Sequence, residues 1–436
     1  MKKIEHLRGH KKMGFPKPNI NNRVYHYLFI ALAFVLPLHG RLVPPVIALI
    51  VLNWLLEFNF KEKYNRIKKS GHRKNLLAFG LLYLLYIIGT SYSNVLYGQE
   101  GAFFDLEVKL SLLLFPLLFS TIDFQSFGKG FYNSVLGFFV VGSFFSGMLL
   151  IGFSFFEFIN GTGDSSLFFY SRLSRWWHPS YLALYFAFSI ATLIVRLIDK
   201  TEISKNERLL YFFLIFCFQV FIILLSSKAG ILATLIMYLT IIAFLLIKRK
   251  SNYKKRIWIP LVLSISFFLS MVPFPQSYGR FISVKTAIEQ KGTAQTNTHE
   301  SSAARVLVWQ SALEVIKSNP VFGVGTGDVK QELGKTYKTG ADENYLNAHN
   351  QYIQTTMALG IIGLMVLLLS FLLPAIISFK RNYLLYLLFL VLAGFHFLVE
   401  SMLERQAGVV FYAFFNSLLF YFMVMGNVLD PKKEGI

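Results

Sequence analysis

His349, Arg305 and a run of glycines fall within one polar stretch of an otherwise apolar chain, residues 301–363, SSAARVLVWQSALEVIKSNPVFGVGTGDVKQELGKTYKTGADENYLNAHNQYIQTTMALGIIG. His349 lies where polar sequence gives way to an apolar run, with Asn347 or Asn350 placed to start the next helix. A neutral imidazole at such a boundary accepts a proton from a hydroxyl near neutral pH; the competing assignment is a capping or interfacial histidine. Arg305 stands one helical turn before Trp309. A guanidinium matches phosphate oxygens bidentately, although periodicity alone favours an arginine snorkelling from an interfacial helix. Gly323, Gly325 and Gly327 in VFGVGTGD permit close backbone approach, and such a turn either points amides at an anion or simply turns the chain. A Walker lysine does not follow at the right spacing, which argues against nucleotide binding.

These residues need elements to hold them, and the composition names the class. Of 436 residues, 55% are hydrophobic and only 15% charged, against about 25% charged in soluble domains. With apolar runs near ~20 residues, this describes a polytopic all-α membrane protein. The net charge of +20 is concentrated in short basic segments: seven Lys/Arg in the first 24 residues, seven between Lys61 and Lys74, and six between Lys248 and Arg256. That is the positive-inside pattern rather than a nucleic-acid footprint. Apolar stretches begin near Tyr25, Val43, Leu76, Leu106, Phe131, Tyr181, Leu209, Ile231, Ile257, Tyr352, Tyr383 and Val409. They predict about twelve transmembrane helices with both termini inside, and the first is expected to be a retained span rather than a cleaved signal.

The segment 273–350 has eight Lys/Arg and seven Asp/Glu and lacks the cytoplasmic bias, so it is expected on the outer side. Three regions follow: helices one to nine over 1–272, the long outer loop over 273–350, and helices ten to twelve over 351–436. Within the loop, Val306, Trp309, Leu313 and Ile316 recur at helical spacing from Ser302 to Asn319, and Pro320 ends that amphipathic helix. Glu400, Glu404 and Arg405 are expected to close an outer turn as an ion pair. Glu107 is expected to pair with Lys109 or Lys228. The single cysteine, Cys217, excludes an intrachain disulfide, and with His299 far from His349 no metal-ligand cluster emerges.

Taken in order, R-x-x-x-W at Arg305–Trp309, N-P-x-x-G-x-G-x-G from Asn319, and H-N-x-Y at His349 with the following G-I-I-G resemble the O-antigen ligase and O-antigen polymerase superfamily. WWHPSYLALYF, SSKAG, LEVKLSLLLFPL and ESMLERQAGVVFYAFF add to that resemblance, which runs from about Glu107 onward. It implies a metal-independent glycosyltransferase without cofactor in the bacterial inner membrane, its site facing the periplasm. The donor would be an undecaprenyl-diphosphate-linked glycan and the acceptor lipid A–core or, in a polymerase, a second carrier-linked repeat. By the same resemblance His349 is the base and Arg305 binds the diphosphate, with Gly323, Gly325 and Asn350 at the substrate. A second family arginine sits in an S-R-G-like turn that here reads Ser227-Lys228-Ala229-Gly230. Lys228 keeps the charge but loses the planar fork, and Arg172 and Arg175 in SRLSRWWHPS are substitutes. His178 either orients the acceptor or caps a helix.

The ligase assignment is favoured over the polymerase. The rival from another class is a transporter for the lipid-linked glycan. It is disfavoured by the absence of a detectable repeat and by charges lying near span ends rather than at the midplane.

Overall fold

A computed structural model describes residues 20–98, 101–127, 130–161, 163–199, 203–248, 256–275, 302–336 and 347–429. The basic N-terminal segment, most of KRKSNYKKR, and the 276–301 and 337–346 parts of the expected loop lie outside the described residues, as does His299. Among the described residues the ordered elements are all helices.

Each of the twelve apolar stretches carries a helix. Six of these helices are long and apolar enough to cross a membrane: Phe131–Ile159, Pro179–Asp199, Lys205–Leu224, Lys228–Lys248, Gln351–Lys380 and the last, Gln406–Leu429. A seventh crossing arises if Gly40–Leu56 and Phe60–Lys68, bent by 102°, form one span. Trp258–Met271 and Leu384–Val399 are apolar but shorter, and the stretch from Leu106 is divided between helices Ala102–Lys109 and Ser111–Thr121.

Pro179–Asp199 forms the centre. It is apolar all round and nearly every side chain is buried, as expected of a helix without a solvent face. Helices Phe131–Ile159, Lys205–Leu224, Lys228–Lys248 and Leu384–Val399 pack around it. Phe188 meets Phe139 and Phe415 with centroids 5.6 and 4.9 Å apart, and Phe139 meets Phe415 at 4.7 Å. Such interlocking rings supply the packing that holds helices together where lipid is as apolar as the core. Gly230 lets the start of Lys228–Lys248 lie against Pro179–Asp199; a Cβ there would come within 2.3 Å of the Ala183 methyl.

The Ser302–Ser318 helix forms as expected, but its buried side is Val308, Ser311, Ala312 and Val315, while Leu313 is half exposed. The helix packs on Val329–Thr336 and on Gln351–Lys380. The apolar stripe is therefore rotated from that read by periodicity, because the surface it covers is protein rather than a flat interface.

Candidate active site

Gln351–Lys380 is broken at Gly360, whose φ of 62° and ψ of −162° no helix accommodates. The break frees backbone groups, and the loop after Pro320 takes them up. Val324 N–H donates to Met357 O at 2.8 Å, Gly325 N–H to Ala358 O at 3.0 Å, and Ile361 N–H to Pro320 O at 2.9 Å. Gly323 N–H donates to Asn319 O, Thr326 Oγ1 to Tyr86 O, and Gly327 N–H to Ser93 Oγ. The Asp328 carboxylate accepts from Asn94 N–H, Asn94 Nδ2 and Val95 N–H. The amides of Gly323 and Gly325 thus go to protein carbonyls, and the glycine run fastens the loop onto the broken helix and onto Ser70–Thr90.

This fastening sets where the helix starts. Asn350 is its N-cap, accepting from Ile353 N–H at 3.1 Å, and Asn347 closes a turn by accepting from His349 N–H at 2.8 Å. Between them His349 takes a φ of 46°, a left-handed conformation that histidine enters more readily than most residues. The turn carries its ring over the end of helix Leu384–Val399, where Glu400 is the C-cap.

Glu400 is the centre of the cluster. Its Oε2 lies 3.3 Å from His349 Nδ1. Its Oε1 accepts from Ser180 Oγ at 3.1 Å and lies 3.7 Å from both Arg305 Nη2 and His178 Nδ1. The carboxylate is 8% exposed, whereas His349, Arg305 and His178 are 36, 38 and 37% exposed; an acidic floor thus lies beneath a basic rim. Burial pushes the Glu400 carboxyl up, but the His349 hydrogen bond and the charges of His178 and Arg305 outweigh it and leave it below the ordinary carboxylate range. An ionised carboxylate only accepts. His349 Nδ1 must therefore carry the proton, which leaves Nε2 with its lone pair turned away from Glu400.

Arg305 also donates to Val399 O at 3.3 Å, and Trp309 Nε1 to Ala348 O at 2.7 Å. The amphipathic helix is thereby tied to both halves of the cluster. The Ser227-Lys228-Ala229-Gly230 turn approaches from the other side: Ser227 Oγ is 3.5 Å from Ser180 Oγ, so Lys228 opens its helix two serines from Glu400.

Arg172 and Arg175 do not join the cluster through the contacts they make. Arg172 pairs with Asp164 at 3.1 Å on the surface, and Arg175 holds Glu157 bidentately at 2.6 and 2.8 Å. Neither carboxylate of the 400–405 turn forms the expected ion pair with Arg405. Glu400 reaches the cluster just described, and Glu404 binds the buried Lys109 at 2.8 Å. Lys109 takes Asp105 at 3.1 Å rather than Glu107, which is exposed. Among the described residues, no group of three or more His, Cys, Asp or Glu is placed to hold a metal ion.

Residues 210–368 match the family model described as O-antigen ligase. Over that stretch the chain is O-antigen ligase-like. The matched stretch contains Lys228, Arg305, Gly323, Gly325, His349 and Asn350, and ends before Glu400. A curated relative, an uncharacterized protein of Haemophilus influenzae, is 26% identical over 197 residues, covering 41% of this chain and 48% of its own length. The chain therefore spans about half of that relative. The sequence placed Glu400 in an ion pair with Arg405 rather than in this cluster, because its spacing carries no signature of more distant partners. Its partners come from positions 178, 305 and 349.

Proposed function

We propose that this protein transfers a glycan from an undecaprenyl-diphosphate carrier to an acceptor hydroxyl, with lipid A–core as the acceptor, at the periplasmic face of the bacterial inner membrane. Twelve crossings with both termini in the cytoplasm bring the loop bearing His349 to that face. The observation that carries this reading is the His349–Glu400 pair beside Arg305. An imidazole whose Nδ1 is held by an ionised carboxylate presents Nε2 as a base, and the carboxylate stabilises the imidazolium that forms.

In the proposed reaction His349 Nε2 removes the proton of the acceptor hydroxyl, and the oxygen attacks the anomeric carbon of the donor sugar. The bond from that carbon to the diphosphate oxygen breaks, and the carrier diphosphate leaves with the electron pair. Arg305 stands 3.7 Å from Glu400 and keeps an exposed edge, from which its remaining N–H groups reach the diphosphate and stabilise the charge developing there. Lys228 adds a second cation to the donor side. The leaving group is already good, so positioning, cationic stabilisation and a base suffice.

The test uses purified protein, a carrier-diphosphate-linked oligosaccharide, and either lipid A–core or a second carrier-linked repeat as acceptor. Transfer to lipid A–core supports the ligase, and chain growth on the carrier reassigns the protein as a polymerase. His349→Ala is expected to abolish either product while the folded protein is recovered normally. Folded wild-type protein that moves the carrier-linked glycan across a vesicle membrane without forming product overturns the enzyme in favour of a transporter.

A further inference from the structure

We infer that Lys109 is a positioning residue: through Glu404 and Gln351 it fixes the turn that presents Glu400 to His349, an inference that rests on His349 being the base. Lys109 is fully buried. Its ammonium lies 2.8 Å from Glu404 Oε2, 3.1 Å from Asp105 Oδ2 and 5.0 Å from the centre of the Tyr86 ring. Glu404 closes the same short turn that Glu400 opens. Gln351, two residues after His349, accepts from Leu403 N–H at 2.7 Å and reaches Glu404 Oε1 and Thr355 Oγ1 at 3.5 and 3.1 Å. Asn350 N–H donates to Ser401 Oγ at 3.2 Å.

The two segments therefore meet in register: His349 on Glu400, Asn350 on Ser401, and Gln351 on Leu403 and Glu404. A buried ammonium must keep its carboxylate partners, so Lys109 ties the far end of this ladder to helix Ala102–Lys109. The His349–Glu400 contact at 3.3 Å is at the long end of a hydrogen bond. A small drift of the turn would break it, and the ladder prevents that drift.

The test must separate positioning from folding. Lys109→Met combined with Glu404→Gln removes both charges together, so neither stays buried without its partner, and Asp105 is left to protonate. Gln351→Met leaves the ion pair whole but removes the bonds to Leu403 and Glu404. For both proteins, kcat with the carrier-diphosphate-linked oligosaccharide is expected to fall roughly ten- to hundred-fold. KM for that donor should stay within about two-fold of the wild type, since the donor contacts are untouched.

A kcat per folded molecule equal to the wild type in either variant, or a KM for the donor that rises in step with the loss of kcat, overturns the inference. His349→Ala assayed alongside keeps the two claims apart. If it retains transfer, the base assignment itself falls. If it is inactive while Gln351→Met behaves as wild type, only the positioning role falls.

Discussion

Arg305 and Trp309 stand one helical turn apart, and each grips the carbonyl just before one member of the His349–Glu400 pair. Arg305 donates to Val399 O and Trp309 Nε1 to Ala348 O. A single helix face thus sets the spacing of two residues that lie 51 positions apart in sequence. The arginine and the tryptophan in R-x-x-x-W consequently have different tasks: the indole holds the loop, while the guanidinium both braces the Glu400 corner and keeps an exposed edge.

Glu400→Gln tests the electrostatic half of the pair. The amide keeps the shape but loses the charge that stabilises the imidazolium. We expect kcat to fall roughly ten- to hundred-fold, corresponding to about 1.4–2.7 kcal/mol of transition-state stabilisation. Because Glu400 is held below the ordinary carboxylate range, its stabilising contribution is complete above that range and is lost only as pH falls through its depressed value. Steady-state kinetics on both proteins check the fall in kcat, and an unchanged kcat removes Glu400 from the mechanism.

Arg305→Lys separates charge from geometry. Lysine retains the positive charge but has neither the fork nor the reach to brace Val399 O and a phosphate together. A loss of about ten-fold or more in kcat/KM is expected, consistent with the strength of a charge-assisted bidentate contact. Steady-state kinetics with the carrier-linked donor decide it. Rates close to wild type would return Arg305 to the snorkelling assignment.

Much of the fold was legible because membrane helices announce themselves: a run such as Phe131–Ile159 permits few alternatives. The Ser302–Ser318 helix and the Asn350 start were also readable, since Pro320 and an N-cap asparagine mark boundaries locally. The buried face of Ser302–Ser318 was not, because Val308, Ala312 and Val315 cover protein surfaces whose shape no single-helix pattern encodes. The partners of Glu400 and Lys109 were illegible for the same reason. Each of these residues has charged neighbours in sequence that could have been its partner, and only tertiary packing brings Arg305 and His178 to the one and Glu404 to the other. The glycine run was visible as a turn, yet the carbonyls its amides meet exist only because a helix about thirty residues later breaks at Gly360.

Asp105 gives a pH signature in stability. Burial pushes its carboxyl up to about 6 against the pull of Lys109. The folded state therefore binds this proton more tightly than the unfolded chain, so stability falls as pH rises from the ordinary aspartate range through about 6. Asp105→Asn should flatten that dependence while leaving Lys109 its bond to Glu404. Thermal unfolding in detergent between pH 5 and 7 measures it, and an equally steep fall in the variant would assign the dependence to another group.

Gly360→Ala tests the break on which the site geometry rests. A Cβ at this position would lie 2.1 Å from Val321 O and 2.2 Å from Val321 C. Both are backbone atoms, held by the Val324–Met357 and Ile361–Pro320 hydrogen bonds, so neither swings aside as a side-chain tip would. The left-handed φ adds a separate cost for alanine. Together these effects should destabilise the protein by roughly 2–4 kcal/mol. Activity should fall as well, because any relief moves the 320–325 loop and with it the start of the helix that carries Asn350 and His349. Gly152→Ala is the matched control: it lies within Phe131–Ile159, a Cβ there meets nothing within 4 Å, and alanine favours a helix by up to about 1 kcal/mol. Side-by-side thermal unfolding should give a lower midpoint for Gly360→Ala and an unchanged or higher one for Gly152→Ala. Equal midpoints would mean that the helix closes over Gly360 and that the glycine loop does not depend on the break.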